Sequence, residues 1–371
     1  MSRRFERPGR VVVKVGSSSL RAVDGGLDRA VVGDLVAQLA RLRGQGIAVV
    51  LVSSGAVAAG LSPLGMNSRP SDLPGLQAAA SVGQGLLLHT YQARFAEHGL
   101  ACGQVLLTTE DMVHRTRFLN ARNTFQRLLG LGAVPVVNEN DTVATDELRF
   151  TDNDRLAALV ASMLGANLLV LLSDVDGLHD DHPATGAPLL DRVDDFRALG
   201  TRHYGLSSSG VGTGGMGSKL EAARIATFSA AHTVIANARR PGVVAEVVGG
   251  RPVGTWFPPS RRRPESRKLW IAFAPHPRGR IVIDDGAVRA LTERGSSLLA
   301  AGITDAQGDF GPGDAVDVVG PDGRIVARGL VAHGQVDVLK VRGLSSDQVA
   351  SVLGDDARAA VIHRDQLIVV A

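Results

Sequence analysis

Short apolar runs alternate along the first two thirds of the chain with longer stretches in which apolar residues return every third or fourth position. Val11–Val15 is a β-branched run with Lys14 near its end, and it predicts a strand. Val31, Leu35, Leu39 and Leu42 recur at helical spacing until Gly44 and Gly46 stop the pattern. Ile47–Val52 predicts a second strand, wholly apolar, that runs into Ser53-Ser54-Gly55. A long helical region follows at about Gly75–His98, then a strand at Gln104–Leu107 and a single helix near Glu110–Leu131. Ala133–Val137 is a further strand with Asn138-Glu139-Asn140-Asp141 at its end. Thr151–Leu164 predicts a helix with Leu156, Leu159, Val160 and Met163 on one face. Leu168–Leu172 predicts a strand ending at Ser173-Asp174, and one more helix leads to a strand at Thr233–Ala236.

Strands that are apolar on both faces and alternate with helices imply an α/β fold: a mostly parallel sheet sandwiched by helices. Ligands of such sheets bind beyond the carboxyl ends of the strands. Four polar clusters fall there: Gly16–Ser19, Ser53–Gly55, Asn138–Asp141 and Ser173-Asp174. The pattern changes across Pro258–Lys268, which holds three prolines, four arginines and a lysine. Beyond it the helical alternation stops. Short β-like runs at Arg280–Ile283, Ala315–Val319 and Ile325–Ala327 take over, with a hairpin turn expected at Pro321-Asp322-Gly323. The expected organisation is an α/β domain over 1–258, a linker over 259–277 and a small β-rich domain over 278–371.

Gly205–Lys219 holds six glycines, no acid and one lysine, at its end. Glycine lets a backbone approach a ligand closely, and a helix start offers free N–H groups and a positive dipole end. A nucleotide-phosphate loop and a flexible glycine-rich lid are both open readings of this stretch. Two better-known motifs fail on it. Gly210-x-Gly212-x-x-Gly215 is not preceded by a strand, and Ser218-Lys219 reverses the order that closes a P-loop.

Several side chains carry candidate chemistry. Lys14 is either a cation aimed at phosphate from a strand end or an edge lysine with a solvated head. Lys219 is either a second such cation or an exposed lysine of the first helical turn. Two lysines facing one phosphoryl group would stabilise the charge that spreads over its oxygens during transfer. A carboxylate at Asp154 would hold both in place. Thr151-x-x-Asp154 equally fits a capping box. Asn138, Glu139, Asn140 and Asp141 could bind a zwitterionic amino acid, the acid taking its ammonium and the amides its carboxylate. Ser54-Gly55 could add a hydroxyl and backbone N–H groups, or Ser53 and Ser54 could simply cap the next helix. No His or Cys spacing suggests a metal site.

Composition narrows the class only a little. An apolar fraction of 44% is that of an ordinary globular protein, and the net charge is +3. From Pro277 to Ala371 ten Lys/Arg face thirteen Asp/Glu, a net charge of −3 that repels phosphate backbones. Cys102 is the only cysteine, which excludes an intrachain disulfide and fits a reducing cytoplasm. The basic N-terminus is a poor signal peptide, because Lys14 interrupts the apolar run, and no run is long enough for a transmembrane helix.

These motifs resemble the amino acid kinase family. The resemblance rests on Val12-Val13-Lys14-Val15-Gly16-Ser17-Ser18, on Val52 through Gly60, and on Val137-Asn138-Glu139-Asn140-Asp141. It rests equally on Asp152-Asn153-Asp154, Leu172-Ser173-Asp174 and Gly212 through Lys219. The tail, with Glu293-Arg294-Gly295-Ser296-Ser297-Leu298-Leu299, resembles a PUA domain. The resemblance implies ATP-dependent phosphorylation of the γ-carboxylate of L-glutamate, with Mg²⁺ carried mainly by the nucleotide phosphates and water. It implies that Lys14 and Lys219 stabilise the transferring phosphoryl group while Asp154 organises them. It implies ATP contacts from Lys14, Ser173, Asp174, Thr213, Gly214, Gly215, Met216, Gly217, Ser218 and Lys219. It implies that Ser54, Gly55, Asn138, Asp141 and Asn153 hold glutamate. Feedback inhibition by proline, assembly into a homodimer or homotetramer and a cytoplasmic location belong to the same expectation. Ser218 stands where threonine is common, which keeps the hydroxyl, and Thr151 stands where glycine is common. The rival readings are a related acyl kinase acting on aspartate or N-acetylglutamate, and RNA binding through the tail.

Overall fold

A computed structural model of the chain describes residues 5–22, 26–143, 153–181, 186–199, 215–260, 268, 271, 277–354 and 358–369. The chain divides into two compact units, Met1–Arg263 and Pro264–Ala371.

The first unit is built on a seven-stranded sheet. Its strands are β1 (Arg10–Val15), β2 (Ala48–Ser53), β3 (Cys102–Leu107), β4 (Val134–Glu139), β5 (Leu168–Ser173), β6 (His232–Asn237) and β7 (Thr255–Phe257), in the spatial order β3-β4-β2-β1-β5-β6-β7. All neighbours are parallel except β7, which runs antiparallel to β6. The central strands are apolar because both faces are covered. Every residue of β4 and β5 is buried. In β1, Lys14 lies beside Val52 of β2 and Leu171 of β5, so its ammonium group starts from the middle of the sheet.

The helices are α1 (Ser17–Leu20), α2 (Arg29–Gly44), α3 (Ala56–Leu61), α4 (Leu73–Ala96), α5 (Thr109–Val113), α6 (Arg115–Gly130), α7 (Asn153–Leu164), α8 (Met216–Phe228) and α9 (Val243–Val248). Local chemistry starts several of them. Asp28 accepts from the N–H groups of Ala30 and Val31 to open α2, and Asp72 accepts from Gly75 N to open α4. The expected helix over 110–131 is instead two. A capping box of Thr108 and Asp111 opens α5, and extended His114 (φ −77, ψ 115) ends it and starts α6. Helix α3 has no counterpart in the periodicity, because Gly55, Gly60 and Ser62-Pro63 all read as breakers. In α7, ten of twelve residues are buried, so the helix is covered all round rather than on one face.

Helices α3 and α4 touch backbone to backbone. A Cβ at Gly60 would overlap the Ala79 carbonyl, and one at Gly83 would overlap that of Ala56. Only glycine permits this approach. The stretch 62–85 has the composition of a mobile loop, yet residues 73–85 form the first half of α4, with Leu76, Ala79, Ala80 and Gly83 buried.

The second unit carries a five-stranded sheet in the order β10-β8-β11-β12-β14, from β8 (Gly279–Ile283), β10 (Ile303–Gly308), β11 (Ala315–Val319), β12 (Ile325–Leu330) and β14 (Leu367–Val369). A two-stranded sheet pairs β9 (Leu298–Leu299) with β13 (Ala360–Ile362). Strands β11 and β12 are joined by the expected turn, with Gly323 at φ +77. Among the described residues the unit also carries the helices α10 (Asp285–Arg294), α11 (Gln335–Val341) and α12 (Ser346–Leu353). Their caps are local, Asp284 to Ala287 N for α10 and a Ser345/Gln348 capping box for α12. The unit is β-rich, as expected, with short helices beside its strands. Among the described residues no helix is long and apolar enough to cross a membrane.

His232 opens β6 in an apolar corner. Its ring stacks on Phe5 at 4.5 Å between centroids, and Trp256 Nε1 donates to its Nδ1 at 3.2 Å. Burial pulls its pKa down from 6.5 to about 4. The unfolded chain therefore takes up this proton first. The stability tied to neutral His232 is fully present above 6.5 and is lost as pH falls towards 4. The urea midpoint of the wild type should fall further between about pH 7 and about pH 5 than that of His232→Gln. An equal fall in both proteins would show that this histidine does not titrate on unfolding.

Candidate functional site

The carboxyl ends of β1, β2, β4 and β5 bring the expected polar clusters to one edge of the sheet. Two neighbouring residues at the start of α7, Asn153 and Asp154, join two networks there.

Asp154 is fully buried and is the centre of the first network. Lys14 Nζ lies 2.6 Å from its Oδ1, and Lys219 Nζ lies 3.1 Å from its Oδ2. The lysines are themselves 2% and 7% exposed. Both are buried because they are paired, and neither is the edge or surface lysine that their sequence positions also allowed. The Ser218 hydroxyl lies 3.2 Å from Asp154 Oδ2 and 2.9 Å from the Gly215 carbonyl, and donates to one at a time. Two ammonium groups and one carboxylate carry one net positive charge in a place with little water. An anion is the natural complement of such a group. Gly215 caps α8, whose first turn, Met216, Gly217 and Ser218, holds no acid. Thr213 and Gly214 lie outside the described residues. At the end of β5, buried Ser173 donates to exposed Asp174 at 3.1 Å.

Asn153 is the centre of the second network. Its Nδ2 donates to Ser54 Oγ at 2.9 Å and to Asn138 Oδ1 at 2.8 Å. Asn138 Oδ1 also accepts from Glu139 N at 2.9 Å, and Asn138 Nδ2 donates to Gln84 Oε1 at 2.7 Å. Gly55 sits at φ +108 and caps α3 without any side-chain bond. Neither Ser53 nor Ser54 is therefore spent on capping. Ser53 pairs with the buried Tyr91 hydroxyl at 2.9 Å, whose pKa is driven up by burial, and Ser54 turns to Asn153. Asp141 is half-buried in the turn after β4.

Gln84 is the residue that sequence reasoning missed. It interrupts the buried stripe Leu76, Ala80, Leu87, Tyr91 of α4 at helical spacing. A polar side chain in an apolar stripe needs a buried partner, and that was the available signal.

The chain belongs to the amino acid kinase family, which it matches over residues 9–237. Residues 279–353 match the PUA domain. Curated relatives of nearly the same length are glutamate 5-kinases. The one from Salinispora arenicola is 53% identical over 361 residues, covering 97% of each chain. The one from Cutibacterium acnes is 52% identical over 359 residues, covering 96% of this chain and 91% of its own. Among solved structures, UMP kinase from Bacillus anthracis aligns at 14% identity with a TM-score of 0.48, over 68% of this chain and 97% of its own.

Proposed function

We propose that the protein transfers the γ-phosphoryl group of ATP to the side-chain carboxylate of L-glutamate, giving γ-glutamyl phosphate and ADP, the first step of proline synthesis from glutamate. The names of its full-length relatives support this substrate pair. The observation that carries the chemistry is the pair of buried lysines on Asp154, joined through one peptide bond to the Ser54–Asn153–Asn138 cluster.

A side-chain carboxylate is already an anion at neutral pH, so the attack needs no general base. A carboxylate oxygen bonds to the γ-phosphorus, and the bond from that phosphorus to the β,γ-bridging oxygen breaks, leaving ADP. The obstacle is the approach of two anions. Lys14 and Lys219 offset that repulsion and stabilise the charge on the equatorial oxygens. Asp154 holds both ammonium groups in place. Mg²⁺ enters as part of the nucleotide, bound by its phosphates and water. The carboxylate at the centre of the site is engaged by two ammonium groups, which suits it as a clamp for the lysines rather than a ligand for the ion. Ser173, Asp174 and the 213–219 stretch are assigned to the nucleotide in this reading. Ser54, Gly55, Asn138, Asp141 and Asn153 hold the amino acid. Proline keeps the α-carboxylate and a charged nitrogen but lacks the γ-carboxylate, so it occupies the same site without accepting phosphate. Assembly into a homodimer or homotetramer completes the proposal.

Trapping the acyl phosphate with hydroxylamine tests it. Glutamate with MgATP should give γ-glutamyl hydroxamate, while aspartate and N-acetylglutamate give little. Proline should depress the yield, and added glutamate should restore it. A preference for either rival acceptor would overturn the substrate, and proline inhibition that glutamate cannot relieve would separate the two sites.

A further inference from the structure

We infer that Gln84 is a positioning residue of the amino-acid site: its side-chain carbonyl holds the Asn138 amide in the orientation in which Ser54 and Asn153 present one donor and one acceptor to the substrate. The inference rests on the glutamate reading above.

The argument starts from a backbone group whose polarity is not in question. Glu139 N can only donate, and it lies 2.9 Å from the Asn138 side chain, so that atom is Oδ1. The other end of the Asn138 amide is therefore Nδ2, a donor, and Asn138 is 2% exposed. This buried donor needs an acceptor, and Gln84 supplies Oε1 at 2.7 Å. Because Asn138 Oδ1 also faces Asn153, Asn153 presents Nδ2 there, and the same nitrogen spends its second hydrogen on Ser54 Oγ. Two atoms are left over. Ser54 Oγ accepts from Asn153, so its own proton is free to be donated to a carboxylate. Among the described residues buried Asn153 Oδ1 has no hydrogen-bond partner, so it is available to accept from an ammonium group. One free donor and one free acceptor are what a zwitterionic amino acid requires.

Gln84 is held at this distance by the backbone contact of α3 and α4 at Gly60 and Gly83, one residue away. Removing its carbonyl strands the Asn138 Nδ2 donor. The Asn138 amide is then held at its oxygen end only, and a turn of that amide would draw the Asn153 carbonyl onto Asn138 Nδ2 and away from the substrate ammonium. The cost falls on amino-acid binding and not on the lysine pair.

Steady-state kinetics of Gln84→Met and Gln84→Glu, beside the wild type, test this. Methionine keeps the length and loses the acceptor, whereas glutamate keeps an acceptor. Gln84→Met should raise the KM for glutamate by about tenfold, with kcat, the KM for ATP and the melting temperature near wild type. Gln84→Glu should bring the KM for glutamate most of the way back. Failure of the underlying reading would appear as a wild type that does not turn over glutamate, which sinks both. A wild type active on glutamate with an unchanged KM in Gln84→Met would sink the positioning role alone. Equal defects in both variants, or a melting temperature that falls in step with KM, would reduce Gln84 to a packing residue.

Discussion

Lys219→Ala should lower kcat by about 10²–10³, the usual effect of losing one preorganised group that stabilises transition-state charge. The lysine sits in the first turn of α8, 7% exposed, with Nζ 3.1 Å from Asp154 Oδ2. Truncation removes one of two positive charges from the place where the γ-phosphoryl group passes. Lys14 stays on the opposite carboxylate oxygen at 2.6 Å, so part of the stabilisation survives. Lys14→Ala has an effect of the same order, because the two lysines share one clamp. The KM for glutamate should move far less in either variant, since the amino acid is assigned to Ser54, Gly55, Asn138, Asp141 and Asn153 and not to the lysines. Steady-state rates at saturating MgATP measure this. Near-normal turnover in either variant would mean that phosphoryl transfer happens elsewhere.

Asp154→Asn should cost about 3–5 kcal/mol of folding stability, the range for removing one partner of a buried ion pair. The carboxylate is fully buried between ammonium groups that are nearly so. Its loss takes from two buried cations the carboxylate that bridges them, which costs more than the loss of one surface ion pair. A second substitution separates this electrostatic cause from altered packing. Lys14→Met, added to Asp154→Asn, removes one stranded charge and should recover part of the loss. Urea unfolding of the three proteins gives the comparison. If Asp154→Asn matches the wild type in midpoint, the lysines are neutral or hydrated in the folded state, and the clamp described above is not one.

The sheet was legible because its strands are apolar on both faces, a pattern that only a parallel sheet covered on both sides produces. The strand ends were legible for the same reason, since polar residues appear wherever the cover stops. Lys14 and Asp154 could be paired in prospect because a lysine in a buried strand demands an acid. Helix α3 was hidden because Gly55, Gly60 and Ser62-Pro63 interrupt its periodicity, although Gly60 is the point where Ala79 comes close. The break at His114 depends on a capping box whose side chains meet only once α5 has formed. The helices α10, α11 and α12 are seven to ten residues long, too short for periodicity to stand out between turns. Gln84 lay in plain sight within an apolar stripe. Its meaning depends on Asn138, 54 positions along the chain.

The single peptide bond between Asn153 and Asp154 has an evolutionary consequence. Each half of the site hangs from its own residue of that pair. Ser54 and Asn138 bond Asn153, and Gln84 joins them through Asn138, whereas Lys14, Ser218 and Lys219 bond Asp154. Mutations in the first group can change which acceptor is recognised while the transfer machinery is inherited intact. The joint itself is the position where drift is least tolerated, because displacing it disturbs recognition and transfer together. A lineage built this way can acquire new acceptors by changing the β2, α4 and β4 side and leaving β1 and α8 alone.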